Sequence, residues 1–136
     1  MVQSGNYKVY VGAYAEPEKK SIYYYDLIGE TGEWKPQGAL PGEDHSSFQI
    51  VDMERQILYT TCNLPNGEGG LASYRIDPET SQLELLDTQA VGGDGPCYVS
   101  LSNDGNYLFT ANYRGGNVSV IPVEDGLMKA PTDVVN

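Results

Sequence analysis

The chain has 136 residues, with 16 Gly, 8 Pro and 11 Tyr beside 2 Phe and 1 Trp, a net charge of −11 and a pI near 4.2. A surface this acidic repels phosphate backbones and anionic lipid, so neither nucleic acid nor membrane is expected as a partner. The hydrophobic share of 40% suffices for a packed core, and abundant Gly and Tyr without long apolar runs predicts many short strands joined by tight turns.

In chain order, "MVQSGNYKVYVGAY" has neither the basic nor the apolar region of a secretory leader, and no run reaches the roughly 18 apolar residues of a membrane span. "YKVYVGAY" reads as an apolar strand that ends near a polar corner. "SIYYYDL" alternates with period two, "GETGE" is a turn, and "EWKPQGAL" is a further strand. The loop "PGEDHSS" then leads into the strand "SSFQIVD". The series begins again with "QILYTTCN", "GLASYRI", the turn "DPETSQ" and "QLELLDTQAV". The loop "VGGDGP" leads to "CYVSLSN", followed by "NYLFTANY", "NVSVIPV", the turn "EDG" and "LMKAPTDVV". Helical periodicity is absent. The connections "MERQ" and "NDGN" are tight turns, in which Asn, Asp and Gly tolerate positive φ.

The recurrence is quantitative. A shift of 49 lays Tyr25 on Tyr74, Leu27 on Ile76, Glu30 and Thr31 on Glu79 and Thr80, Trp34 on Leu83, and Asn63 on Asn112; after Asn112 the offset falls to 47, as Leu71 meets Val118. Four short antiparallel strands in a repeat of 44–49 residues describe a β-propeller blade. With strands lettered A to D from the central axis outward, "SSFQIVD" and "CYVSLSN" are the inner A strands. The expectation is an all-β fold of about eleven strands, close to two and three-quarter propeller blades. Blade one, lacking its inner strand, covers residues 7–41, blade two 45–91 and blade three 94–136 of a partial propeller domain 1–136. Propellers close with about four to eight blades. The chain is therefore expected to be the N-terminal part of a longer protein, with self-association through its open blade edges as the alternative.

In such a fold the D-to-A and B-to-C loops gather at one face, around the mouth of the channel, and binding groups favour loops held by a rigid scaffold. The candidates follow from that placement. His45, the single histidine, occupies the D-to-A loop at the position shared with Asp94; its ordinary pKa near 6.5 suits general base work, or it is a solvated loop histidine and the catalytic residues lie elsewhere. Asp94 could orient water or accept sugar hydroxyls, or serve only as an Asx turn. Asn63 and Asn112 end equivalent B strands, where a carboxamide can bind hydroxyls or satisfy loop backbone. Tyr113 and Arg114 form the most chemical pair, since a guanidinium clamps phosphate or carboxylate, with plain surface charge as the alternative. Lys19 and Lys20 read as solvated. Ser46 and Ser47 follow His45, but adjacent residues seldom have triad geometry and no nucleophile elbow is present, so a serine mechanism is not expected. "GEGG" and "RGGN" precede no helix and are not phosphate loops. Cys62 and Cys97 lie in apolar segments and read as reduced and buried, which suits a cytoplasmic protein.

"VGGDGPCYVSLSNDGNYLFTANYRGGNVSVIPVEDG", with "YVGAY" near the start and "ASYRIDPETSQLELLDTQAVGGDGPC" before it, resembles the seven-bladed propeller lactonases, the propeller-type 6-phosphogluconolactonases, over residues 7–135. The resemblance implies a cytosolic hydrolase of the pentose phosphate pathway that opens 6-phosphoglucono-1,5-lactone to 6-phosphogluconate. It implies no metal and no organic cofactor, and a phosphorylated sugar lactone as the small-molecule partner. The family's acid–base and phosphate-binding segment, a His with nearby Arg and Glu, belongs to later blades, so this portion alone is expected to be inactive. Tyr98 stands where many members carry His after the GPC segment. The fold is shared with a muconate-lactonizing enzyme, so a cycloisomerase or a non-catalytic binding scaffold are the alternatives.

Overall fold

The computed structural model describes residues 5–15 and 19–136, in three antiparallel sheets and no helix. The first sheet is a meander of β1 (Asn6–Gly12), β2 (Lys20–Ile28) and β3 (Trp34–Pro41). The second adds an inner strand: β4 (Gln49–Asp52), β5 (Ile57–Asn63), β6 (Gly69–Ile76) and β7 (Leu83–Ala90). The third contains β8 (Pro96–Leu101), β9 (Tyr107–Asn112) and β10 (Asn117–Glu124), with β11 (Leu127–Met128) and β12 (Asp133–Val135) both paired to β10. β4 packs against β1 on one side and β8 on the other, as the inner strands of neighbouring propeller blades do. Residues 16–18 of the first B-to-C loop, and residues 1–4 of the stretch read for a secretory leader, lie outside the described residues.

One strand differs from expectation. The outer strand of the third sheet is broken into β11 and β12, giving twelve strands. Met128 pairs with Val123 and Asp133 with Val120, so five steps on the outer side answer three on β10. Pro131 lies in the gap and has no N–H to give to the ladder. Lys129 and Thr132 hold the detour by donating their N–H groups to the Pro122 and Val120 carbonyls, each at 2.9 Å. The break is an enlarged form of a feature common to all three sheets. The register slips by one residue between Tyr24 and Tyr25, and again between Ser73 and Tyr74, 49 residues later. The repeat therefore extends to the position of its β-bulge, which bends the outer strand and increases local twist.

The tight turns follow residue chemistry with two exceptions, Gln56 and, in the β6–β7 turn, Ser81 at φ 62. Gly105 takes φ 73 in the β8–β9 turn, but in the β4–β5 turn Gln56 adopts φ 56. It is held there by its own amide, which donates to the Met53 carbonyl at 2.7 Å, while Asp52 Oδ1 accepts the N–H groups of Glu54 and Arg55, both at 3.1 Å.

The central sheet is buried on both faces, and its side chains sort by parity. Ile57, Tyr59 and Leu71 join Val91, Val99, Leu108, Ile121, Val123 and Met128 in the core against the third sheet. Leu58, Cys62, Ala72, Tyr74 and Ile76 join Ile22 in the core against the first, with Tyr10 and Leu40 packed on it. Period two persists in β5 and β6, but because both faces are covered it sorts side chains between two cores rather than between core and water. Polar contacts stitch the sheets at their margins. Met128 N–H donates to Asp87 Oδ2 at 2.8 Å, Ser73 Oγ to the Gly126 carbonyl at 2.5 Å, and Tyr10 Oη to the Ser81 carbonyl at 2.7 Å. The far faces carry exposed apolar side chains: Tyr7 and Val11 on the first sheet, and Tyr107, Phe109 and Val118 on the third.

Candidate functional site

A cavity of about 230 Å³ opens where the loops of all three sheets meet. Its lining combines the loop after β1 (Tyr14), the connection into β4 (His45, Ser47), the end of β5 (Cys62, Asn63), the connection into β8 (Gly95, Pro96, Cys97) and the loop after β9 (Tyr113, Arg114). The loop classes expected to share a face do share one. Of the sequence candidates, His45, Asn63, Tyr113 and Arg114 line this cavity; Asp94 and Asn112 do not.

His45 is fixed from several directions. Its backbone is left-handed, at φ 59, a conformation uncommon outside glycine and costly for a side chain of this size. The N–H of His45 donates to the Ala15 carbonyl at 3.2 Å, which ties the loop to the first sheet. The Tyr14 ring stands edge-on to the imidazole, with centroids 5.0 Å apart. Nδ1 contacts Asp44 Oδ1. Asp44 in turn bridges to Asn63: the Asn63 N–H donates to the Asp44 carbonyl at 2.8 Å, and Asn63 Nδ2 reaches Asp44 Oδ2 at 3.5 Å. Asn63, Asp44 and His45 thus form a chain of contacts across the strand end. In the neutral tautomer that donates Nδ1–H to this carboxylate, the lone pair lies on Nε2, the arrangement a general base requires. The neighbouring hydroxyls are occupied elsewhere: Ser46 Oγ donates to the Glu43 carbonyl at 2.9 Å, and Ser47 Oγ lies 3.4 Å from Thr61 Oγ1.

Arg114 approaches from the opposite rim. Its Nη2 lies 3.0 Å from Asp94 Oδ1, with the two side chains 59% and 57% exposed. Asp94 itself faces a second cleft, with Glu68, Asn117 and the glycines Gly67, Gly69, Gly92 and Gly93. The ion pair therefore stands between the two hollows. Tyr113 is 83% exposed and flanks the mouth. Asn112, by contrast, is 2% exposed. Its Nδ2 donates to Asn117 Oδ1 at 2.8 Å and to Ser119 Oγ at 2.9 Å, which braces the β9–β10 corner. The shift of 49 made Asn63 and Asn112 equivalent, but their surroundings divide them, one at the cavity and one inside the sheet.

The two thiols also divide. Both are free, as expected, but only Cys62 is buried, and burial pushes its thiol up to about 12. Cys97 is exposed, a correction to the expected burial. It is the second residue of the inner strand β8, at the cavity mouth, so its side chain faces the opening rather than a neighbouring sheet. Tyr98, the next residue, stacks at a tilt on Phe48 with centroids 4.8 Å apart. Tyr14, Asp44, Cys62 and Cys97 carry no functional motif in the sequence. Asp44 adjoins His45 in sequence and could have been suspected, whereas Tyr14 arrives from another sheet and leaves no local signal. Lys19 and Lys20 lie beside a separate hollow with Tyr23 and His45. Among the described residues, no three His, Cys, Asp or Glu side chains come together as a metal site, and no helix is long and apolar enough to cross a membrane.

Comparison with known proteins gives a consistent set of relatives. The family model described as "Lactonase, 7-bladed beta-propeller" matches residues 8–136. The 6-phosphogluconolactonase of Bacillus subtilis is 32% identical over 123 residues, covering 90% of this chain and 35% of that protein. A crystal structure from Bacteroides fragilis, provisionally assigned as a 6-phosphogluconolactonase, superposes with a TM-score of 0.86 at 29% identity, over 99% of this chain and 37% of its own. The periplasmic gluconolactonase of Pseudomonas aeruginosa superposes with a TM-score of 0.83 at 30% identity, over 96% of this chain and 38% of its own. The chain thus spans little more than a third of the length of these relatives.

Proposed function

The chain belongs to the family of seven-bladed β-propeller lactonases, and we propose that it forms the N-terminal portion of an enzyme that hydrolyses 6-phosphoglucono-1,5-lactone to 6-phosphogluconate in the pentose phosphate pathway. One observation carries this reading: a single cavity is bounded on one side by an imidazole backed by a carboxylate and on the other by a guanidinium, each on a loop of a different sheet. Lactone opening needs a base to activate water, donors to steady the oxyanion, and a cation to hold a distal anion. His45 Nε2 would take the proton of water as its oxygen attacks the lactone carbonyl. Arg114 would hold the phosphate, with Tyr113 beside it and Asn63 keeping Asp44 on the imidazole. Asn112 supports the corner that carries Arg114. The portion described here supplies the rim rather than a full catalytic set and is inactive alone; the remaining groups come from further blades.

Within this reading, residues 1–136 are one partial propeller domain with blades at 7–41, 45–91 and 94–136. The two free thiols favour a cytoplasmic setting, although one relative is periplasmic. The substrate is a sugar lactone whose phosphate is selected by Arg114, and no cofactor takes part.

The test is lactone hydrolysis by the complete protein that bears this sequence, with 6-phosphoglucono-1,5-lactone and glucono-1,5-lactone as paired substrates. The phosphorylated lactone is the expected preference. Loss of a charge-assisted contact to phosphate removes about 1.5–3 kcal/mol, so Arg114→Ala should raise KM for the phosphorylated substrate by about tenfold or more and leave glucono-1,5-lactone nearly unchanged. No turnover of either lactone by a well-folded protein would overturn the proposal.

A further inference from the structure

We propose that Asp94 acts as the positioning residue of Arg114, and that the pair sets the preference of the cavity for an anionic ligand over its neutral twin. The inference rests on the reading of Arg114 as the anion contact. Two loops from one sheet, the connection into β8 and the loop after β9, are joined by a pair of backbone bonds on either side of Arg114. Tyr113 N–H donates to the Gly95 carbonyl and Gly115 N–H to the Asp94 carbonyl, each at 2.9 Å. Between these bonds the Arg114 stem lies across Gly95. A Cβ placed on Gly95 would meet Arg114 Nε at 3.0 Å and Cγ at 3.2 Å, and Gly95 itself is left-handed at φ 63. The side chain ends on Asp94 Oδ1 at 3.0 Å.

The stem is thus seated on a glycine and its tip is tied to a carboxylate that does not line the cavity. Only Nη2 is taken by that carboxylate, so the guanidinium keeps donors for a ligand. A pair this exposed adds little to stability. Its larger effect is on the arginine, whose flexible side chain would otherwise lose rotamer freedom on meeting a ligand.

The effect separates from catalysis by use of stable ligands that differ only in the phosphate. Binding of D-glucose 6-phosphate and of D-glucose is measured on the complete protein by calorimetry at fixed ionic strength, for the wild type, Asp94→Ala, Asp94→Asn and Arg114→Ala. Glucose affinity and the melting temperature report whether each variant keeps its fold. The wild type is expected to prefer the phosphate ester, and Arg114→Ala to abolish that preference. Asp94→Ala should lower it about three- to tenfold with glucose affinity unchanged, and Asp94→Asn, which keeps the shape of the side chain but not the charge of the ion pair, should lower it as well. Preference kept or raised in Asp94→Ala or Asp94→Asn would overturn the positioning role and leave Arg114 as the anion contact. Preference unchanged in Arg114→Ala would remove the anion reading itself, and the role of Asp94 with it. If Asp94→Ala fails to fold, Asp94→Ser replaces it, with the same outcomes.

Discussion

Cys62 and Cys97 line the same cavity but sit in opposite solvent environments, and this gives a direct chemical prediction. Burial holds Cys62 as a neutral thiol with its pKa pushed up to about 12, whereas Cys97 is exposed. Because thiolate is the reactive form, a disulfide reagent at pH 8 should titrate one thiol per native chain and two after denaturation. Two fast equivalents in the native protein would contradict the burial of Cys62. Two carboxylates give a second prediction, on the acid side. Ser102 Oγ and the Asn106 N–H hold Asp104 below the usual carboxylate range, and the N–H groups of Thr80 and Glu79 do the same for Asp77. A depressed native pKa means that the unfolded chain binds the proton first. The stability these groups supply is therefore complete above the ordinary carboxylate pKa near 4 and is lost as pH falls through the lower native value. Asp104→Asn should flatten the fall in unfolding midpoint below pH 4, read by thermal melts across the acid range.

Strands explain why equivalent sequence positions acquire unequal weight. β5 and β6 lie between two cores, so a cavity there is sealed from both sides. β9 faces a core on one side only, with Leu108 inward and Tyr107 and Phe109 outward. Leu108→Ala should cost about 2–5 kcal/mol in denaturant unfolding, as for other buried leucines, and Leu58→Ala a similar amount through the opposite core. A surface-like effect, below about 0.5 kcal/mol for either, would contradict the two-core arrangement. The bulge at Tyr24–Tyr25 and its counterpart at Ser73–Tyr74 show the same point at the level of geometry. The outer strand of each sheet must bend, and a repeated irregularity supplies the bend. In the third sheet Pro131 enlarges it into two separate short strands.

At the scale of the whole molecule, the middle sheet is covered on both faces, while the first and third each have one uncovered face. Tyr107, Phe109 and Val118 on one end, and Tyr7 and Val11 on the other, are apolar and exposed. Isolated in solution at high concentration, residues 1–136 should therefore associate through these open ends, with the mass from light scattering rising with concentration. Phe109→Lys should suppress that rise. A monodisperse monomer over the whole range would contradict the expectation of open, adhesive ends.

The sequence by itself determined the repeat, because each blade must reproduce the same strand–turn chemistry and the shift of 49 records it directly. It determined the all-β class through period-two patterning, and the loops that share a face, since alternate connections of an antiparallel meander fall on the same side. It also pointed to the lactonase family, through segments in a fixed order and spacing. The tertiary structure alone decided which of those loop residues meet. His45, Asn63, Tyr113 and Arg114 converge on one cavity because three sheets bring their connections together, and Tyr14 joins them from the first sheet with no mark in its neighbours. Asn112 was indistinguishable from Asn63 until packing buried one and left the other at the rim. Cys97 reads as apolar by its flanks but is exposed, because strand ends at the cavity mouth have no neighbouring sheet to cover them. The underlying reason is a difference of range: strand, turn and repeat are set by residues close in sequence, while burial and convergence depend on surfaces tens of residues apart.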